Sequence, residues 1–483
     1  MVTVTKPDVL QKNVSKMKER RNPPMNRNQE MLEKASYSKL LLNLSLPAVV
    51  IMLVMIVYNM ADTFFIGQTG DPGKIAAISL CGPVFSILSG LGTLLGSGGC
   101  TAISLALGKK DTDKVKKYSA FCCYASLILG LLFLTVVNLA VSPISQALGA
   151  DADTLSDTVS YLRIIAFGAP FIMFNNVFAN VIRSDGAARE SMIANCLGTL
   201  SNIGLDAVFI LVFSWDVAGA AFATVLGNCV SCAYLLYYVR SKQPSLSLSP
   251  KEFSLRPEVS LGVMSLGLPM AFSTLLNSVS HIIANRMVIG YGAVALAAQG
   301  VSGKIGMLIT MLAMGICMGL QPAISYNYGS GNLKHMREII RNTAFFTATL
   351  GSLLTIVCFF ARNAIITAFI DNTEVIAYGQ IFVFASIIIG PFYGLYQLCQ
   401  TFLQSTGKAS YATFVALLDK GLFFLPLLFV LSRLFGLYGI IFTGAVTLAF
   451  SLIAGIVCSL IWNRKISRNE ASPQEAPGMA QPS

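Results

Sequence analysis

Three aspartates, Asp62, Asp206 and Asp419, stand inside long apolar runs of this chain. A carboxylate is costly to place in lipid, so its default reading there is functional. Asp62 lies in Tyr58-Asn59-Met60-Ala61-Asp62-Thr63. Tyr58, four residues earlier, shares a helix face with it. Asp206 follows Asn202 by four residues and shares a face with that amide. Thr224, in the next apolar run, adds a hydroxyl. Two carboxylates, an amide and a hydroxyl are hard oxygen ligands that suit a hard cation such as Na+. They suit H+ equally well. Two close carboxylates in a poorly solvated cavity do not both stay ionised cheaply, and one becomes a proton carrier. The competing structural reading is that each aspartate caps a kink or pairs with Arg163.

These residues need a membrane-embedded scaffold, and composition points to one. Of 483 residues, 54% are hydrophobic and 12% charged, with mean hydropathy +0.68. Soluble domains carry about 25% charged residues. A transmembrane helix needs about 20 mostly apolar residues. Twelve runs qualify, at 40–66, 76–107, 118–145, 157–181, 190–213, 217–239, 261–289, 294–327, 341–361, 376–403, 410–433 and 437–462. The runs are continuously apolar, whereas barrel strands would alternate. The expected fold is an all-α integral membrane protein of two six-helix lobes. The expected parts are a polar leader at 1–38, lobes at 39–239 and 259–462, a linker at 240–258 and a tail at 463–483. The leader is too long and polar for a secretory signal. Leader and tail, the latter from about Ile466, are expected to be mobile.

The net charge of +11 could suggest nucleic acid, but its distribution argues otherwise. With the amino terminus in the cytoplasm, cytoplasmic segments hold 27 of the 34 Lys and Arg residues and outer loops hold three, Lys74, Arg362 and Arg433. Arg163, Arg286, Lys304 and Lys420 fall inside spans. This bias follows the positive-inside rule, so both termini are expected in the cytoplasm and no nucleic-acid partner is expected. The eleven cysteines all sit in apolar stretches and read as small buried hydrophobes.

The chain also repeats itself. Pro170 through Gly186 aligns without a gap on Pro391 through Gly407, at an offset of 221. Leu46-Pro47 before Ile66-Gly67 matches Leu268-Pro269 before Ile289-Gly290. Six helices per half make a parallel repeat about an axis along the membrane normal, an arrangement common in transporters.

The string from Pro47 through Tyr58-Asn59-Met60-Ala61-Asp62-Thr63-Phe64-Phe65-Ile66-Gly67 resembles the first helix of the MATE (multidrug and toxic compound extrusion) transporters. Arg183-Ser184-Asp185-Gly186 resembles the signature after their fourth helix, and Ser201 through Asp206 their fifth-helix motif. The likeness spans about residues 38–462 and is nearest the bacterial DinF branch with its staphylococcal-type exporters. It implies a V-shaped antiporter in the bacterial cytoplasmic (inner) membrane. Such a protein exports amphipathic, often cationic, drugs against H+ or Na+ flow. The implied cation site is Asp62, Asn202, Asp206 and Thr224, which would be metal ligands only if Na+ is the ion. The implied bend is at Pro47, where a backbone hydrogen bond is already missing. For the drug cavity, Tyr58 offers a π-face and Met55 an adaptable wall, with Asn176 and Asn180 as polar contacts. No cofactor beyond the coupling ion and no enzymatic activity are expected, and the chain is expected to act as a monomer.

The halves differ where the chemistry lies. Asp62 aligns with Asn285, and the eleventh run reads Asp419-Lys420-Gly421. Neighbours on a helix point about 100° apart, so Asp419 and Lys420 need not pair; a structural ion pair of Asp419 with Lys304 is expected over a second cation site. The acidic sites of the carboxyl lobe in other branches do not carry over. His281, five residues before Arg286, reads as a satisfied polar residue. Rival readings are weaker. A major facilitator loop does not match Gly108-Lys109-Lys110-Asp111-Thr112-Asp113-Lys114. A lipid-linked oligosaccharide or lipid flippase of the same superfamily is the main alternative, but often has fourteen helices and a basic cavity. A membrane enzyme would need a polar catalytic cluster, and the only two histidines, His281 and His335, lack one.

Overall fold

Residues 27–69, 71–242, 245–369 and 373–471 are described by a computed structural model of the chain. Among them, twelve helices are long and apolar enough to cross a membrane. They are α1 (Tyr37–Gly67), α2 (Gly73–Gly108), α3 (Thr112–Leu139), α4 (Leu155–Asp185), α5 (Ala188–Val212) and α6 (Asp216–Lys242) in the first half. The second half comprises α7 (Pro257–Ile289), α8 (Val294–Gly329), α9 (Leu333–Ala364), α10 (Tyr378–Ser405), α11 (Ala409–Phe435) and α12 (Leu437–Arg468). Every span read from hydropathy has its helix. Large apolar side chains such as Leu139, Phe345 and Phe360 are exposed. In water such a surface would drive association; in a bilayer it is the face that meets acyl chains.

Equivalent positions of the repeat take equivalent shapes. Gly186 and Gly407, 221 residues apart, both adopt left-handed backbone, with φ of +83° and +80°. Each terminates its helix there, as an achiral residue does without strain.

The lobes meet through α1 and α2 on one side and α7 and α8 on the other. Small residues make the seam. A Cβ at Gly267 would lie 1.8 Å from the Leu94 carbonyl oxygen, and one at Gly98 would lie 2.1 Å from that of Val263. Gly108 and Gly329, again 221 apart, face each other's chain segments across the pseudo-twofold. Hydrogen bonds lace the same zone. The Ser45 hydroxyl donates to the Ile316 carbonyl at 3.1 Å, the Gln321 amide to Thr101 at 2.8 Å and the Gln404 amide to Ser97 at 2.8 Å. The α1–α8 contacts at Ser45 and Val49 lie in the first turns of α1. Farther along α1, Leu53, Met55, Val57, Met60 and Phe64 are exposed.

The leader departs from expectation. Residues 1–26 lie outside the described part, but Arg27–Lys34 is a helix docked across the closed end of the seam. Gln29 donates to Asp185 of the first lobe at 2.9 Å, and Asn327 of the second lobe donates to the Leu32 carbonyl at 2.8 Å. Leu32 is fully buried. The apolar contact explains the order: one buried leucine and two cross-lobe hydrogen bonds fix a segment whose average composition is polar. Residues from Ile466 are likewise helical to Ala471, and Arg337 pairs with Glu470 at 2.8 Å. The rest of the tail lies outside the described residues.

Candidate cation and drug site

Asp62 is carried by α1, Asn202 and Asp206 by α5, and Thr224 by α6. Helices α5 and α6 approach through glycine: a Cβ at Gly227 would stand 2.6 Å from the Gly198 carbonyl oxygen and 2.9 Å from the Asn202 Cβ. The turn that joins them is tight, with Ser214 and Asp216 both at positive φ. It is packed by Phe209 against Trp215, ring centroids 5.1 Å apart. Lys74 ties Asp216 to the start of α2 at 2.8 Å. A rigid hairpin therefore sets Asn202 beside Thr224.

Of the four residues expected at a cation site, Asn202 and Thr224 meet at Tyr58, and Asp62 and Asp206 lie on the same two helices as Tyr58 and Asn202. The Tyr58 hydroxyl stands 3.4 Å from the Thr224 hydroxyl, and the Asn202 amide donates to that same oxygen at 3.5 Å. Asp206 is fully buried, and Asn202 and Thr224 nearly so. Asp62 is half-buried. The helices that carry the two carboxylates, α1 and α5, pack against each other. Neither carboxylate has a basic partner within 4 Å among the described residues; Arg163 is exposed and does not pair with them. Both Asp206 oxygens and the Asn202 carbonyl oxygen have no hydrogen-bond partner. Three buried acceptor oxygens on one helix face without donors are unusual, because buried polar atoms are nearly always satisfied. They fit a cation or a proton.

Helix geometry contributes to the site. Immediately after Asp206, α5 widens into a π-helical segment, Ala207–Val212. Helix α1 opens with another, Leu41–Ser45, and Pro47 stands just past its junction with regular α-helix. Such segments are frequent at functional sites.

Two sets of residues were missed. Asn175 of α4 donates to Asn228 of α6 at 2.9 Å, and Asn228 donates to the Thr224 carbonyl at 2.8 Å. The signal was available, since Asn228 follows Thr224 by four. Tyr161 of α4 is buried near Tyr58, Asp62 and Asp206; a single tyrosine in an apolar run gave no sequence signal. Of the expected drug contacts, Met55 is exposed. Asn176 and Asn180 pack against Gly92 and Gly96 of α2, away from the face that carries Asn175. The Asn180 side chain bonds the Asn176 carbonyl and Arg183.

In the second lobe Asn285 occupies the position of Asp62 and is exposed. The expected Asp419–Lys304 pair is not formed. Asp419 pairs with its neighbour Lys420 at 3.0 Å. The reason is local: both lie in a π-helical turn, Leu418–Leu422. Its wider coil brings adjacent side chains to a smaller angle than an α-helix does.

A family model described as MatE matches residues 47–208 and 269–430. The multidrug export protein MepA of Staphylococcus saprophyticus is 31% identical over 428 residues, covering 89% of this chain and 93% of that one. MepA of Staphylococcus aureus is 30% identical with the same coverage. A solved structure described as the outward-facing conformation of a multidrug resistance MATE family transporter superposes with a TM-score of 0.85 at 22% identity. The match covers 93% of this chain and all of that one. A MOP superfamily transporter from Pyrococcus furiosus, described as having reversed binding-pocket polarity, gives 0.85 at 21% identity, also over 93% and all of the two chains.

Proposed function

The chain belongs to the MatE family of membrane transporters, and we propose that it is a multidrug exporter of the cytoplasmic membrane coupled to inward H+ or Na+ flow. What carries this reading is the pair of carboxylates Asp62 and Asp206, embedded without a basic partner among the described residues, with both Asp206 oxygens and the Asn202 oxygen unsatisfied. Such a group is stable only when something cationic neutralises it. The substrates are amphipathic or cationic small molecules, attracted to the same acidic lobe from a cleft that the seam closes at the leader end.

That end is cytoplasmic, by the charge bias of the loops. We read the closed seam there, together with the exposed outer part of α1, as an outward-open state. In the cycle, a cation entering from outside neutralises the acids of α1 and α5. Helix α1 then repacks, using the missing hydrogen bond at Pro47 and the soft π-turn before it. Repacking shrinks the drug-binding surface, and the drug leaves outward. Drug and cation each disfavour the other's bound state, and this coupling is reciprocal. The test is ethidium efflux from intact cells. Asp62→Asn should insert normally and lose efflux; a mutant that still exports ethidium at the wild-type rate sinks the proposal.

A further inference from the structure

The lobes share a scaffold but neutralise their buried acid differently. In the first lobe, two carboxylates lie where α1 meets α5, with no base in contact among the described residues. In the second lobe the corresponding meeting of α7 and α11 carries one carboxylate and one ammonium. On the offset of 221, Asp206 falls on Leu427 and Asn202 on Phe423, so the oxygen donors of the first site are gone. The carboxylate that remains, Asp419, lies over Gly198, eight residues or about 12 Å along the helix from the Asp206 position.

Asp419 is deeply buried, its side chain 4% exposed, while that of Lys420 is 25% exposed. The π-turn brings the Lys420 Nζ to 3.0 Å from the Asp419 carboxylate, an ion contact outside hydrogen-bonding geometry. Ser280 of α7 donates its hydroxyl to the Lys420 carbonyl at 2.7 Å, so the helix equivalent to α1 is fastened at the pair. From α10, Tyr396 and Tyr393 face the same charges, and the Tyr396 hydroxyl is fully buried with no partner in hydrogen-bonding geometry. From α7, His281 faces Lys420. The cluster thus holds one acid, one permanent base and neutral polar groups.

We propose that the Lys420 ammonium is a tethered cation, doing for the buried Asp419 of the second lobe what a solution cation does for Asp62 and Asp206 of the first, at a level displaced along the helix. This rests on reading the Asp62–Asp206 pair as the coupling site. The tether is one residue long, so the cation does not leave. The second lobe is therefore locked in its loaded form and takes up no coupling ion, and each cycle is driven from the first lobe alone. A plain structural ion pair differs in one respect: no ion from solution could stand in for the lysine.

The experiment is thermal unfolding of the purified full chain, titrated with NaCl against choline chloride and with pH. Wild-type protein should show one cation-dependent rise in unfolding temperature, abolished by Asp62→Asn. Lys420→Met should unfold earlier without cations and acquire a second cation-dependent rise. That rise should survive Asp62→Asn and vanish when Asp419→Asn is added. Lys420→Gln, which keeps length and polarity, should behave likewise. A Lys420→Met or Lys420→Gln protein with only the wild-type transition overturns the proposal. So does a second transition indifferent to Asp419→Asn. If neither single variant folds while Asp419→Asn/Lys420→Met does, no solution ion replaces the lysine, and the proposal also fails. A wild-type protein without any Asp62-dependent transition instead refutes the first-lobe site itself, whatever Lys420 does.

Discussion

Replacing Asp206 by asparagine should make the protein more stable and inactive at once. Asp206 is fully buried, both its oxygens lack partners and Asp62 adds like charge. A buried polar group left unsatisfied costs about 1–3 kcal/mol, more when charged. Asparagine keeps the volume and removes the charge but stays a buried polar group, so in alkaline, sodium-free buffer the variant should gain on the order of 1 kcal/mol over wild type. For a large domain that corresponds to a rise of roughly 2–4 °C per kcal/mol in apparent Tm. Adding Na+ or protons should raise the wild-type Tm toward that of the variant and leave the variant unmoved, since ligands stabilise only the state that binds them. Differential scanning fluorimetry on purified protein reads both quantities, and ethidium efflux reads the loss of transport. The reasoning fails if Asp206→Asn is less stable than wild type without cations, or if the variant still responds to them.

Further outcomes can be checked more simply. Gly267→Val should jam the closed seam, because its Cβ would stand 1.8 Å from the Leu94 carbonyl oxygen; spin-label distances across the leader end should lengthen, with the protein still in the membrane. Lys74→Ala removes a bridge whose partners are 21% and 38% exposed, and should lower stability by no more than about 1 kcal/mol, with transport retained. Thr224→Ala should weaken the cation response seen in unfolding, whereas Thr224→Ser, which keeps the hydroxyl, should restore it.

Much of this architecture could be read from the residues alone, because lipid imposes few solutions. Apolar length gave the twelve spans, and prolines and glycines in register gave the repeat. Four-residue spacing placed Tyr58 with Asp62 and Asn202 with Asp206 on shared faces, and Tyr58 and Asn202 do meet at Thr224. What escaped notice depended on departures from regular helix or on single contacts. The Asp419–Lys420 pair contradicts α-helical phase because the turn is π-helical. The docking of Arg27–Lys34 hangs on Leu32 and two hydrogen bonds, too little to raise the hydropathy of a polar leader. Asn175, not Asn176, joins the polar layer around Thr224, a difference of about 100° around one helix that composition does not resolve.

Exchange itself is the most direct test of the central claim, that Asp62 and Asp206 couple drug export to a cation. In proteoliposomes containing the purified protein, an imposed drug gradient should drive H+ or Na+ the opposite way, followed with a pH-sensitive or sodium-sensitive dye. Wild-type protein should move the ion in step with the drug, and Asp62→Asn should move neither. Drug flux in wild type without accompanying H+ or Na+ movement, or ion-coupled flux that persists in Asp62→Asn, would contradict the account.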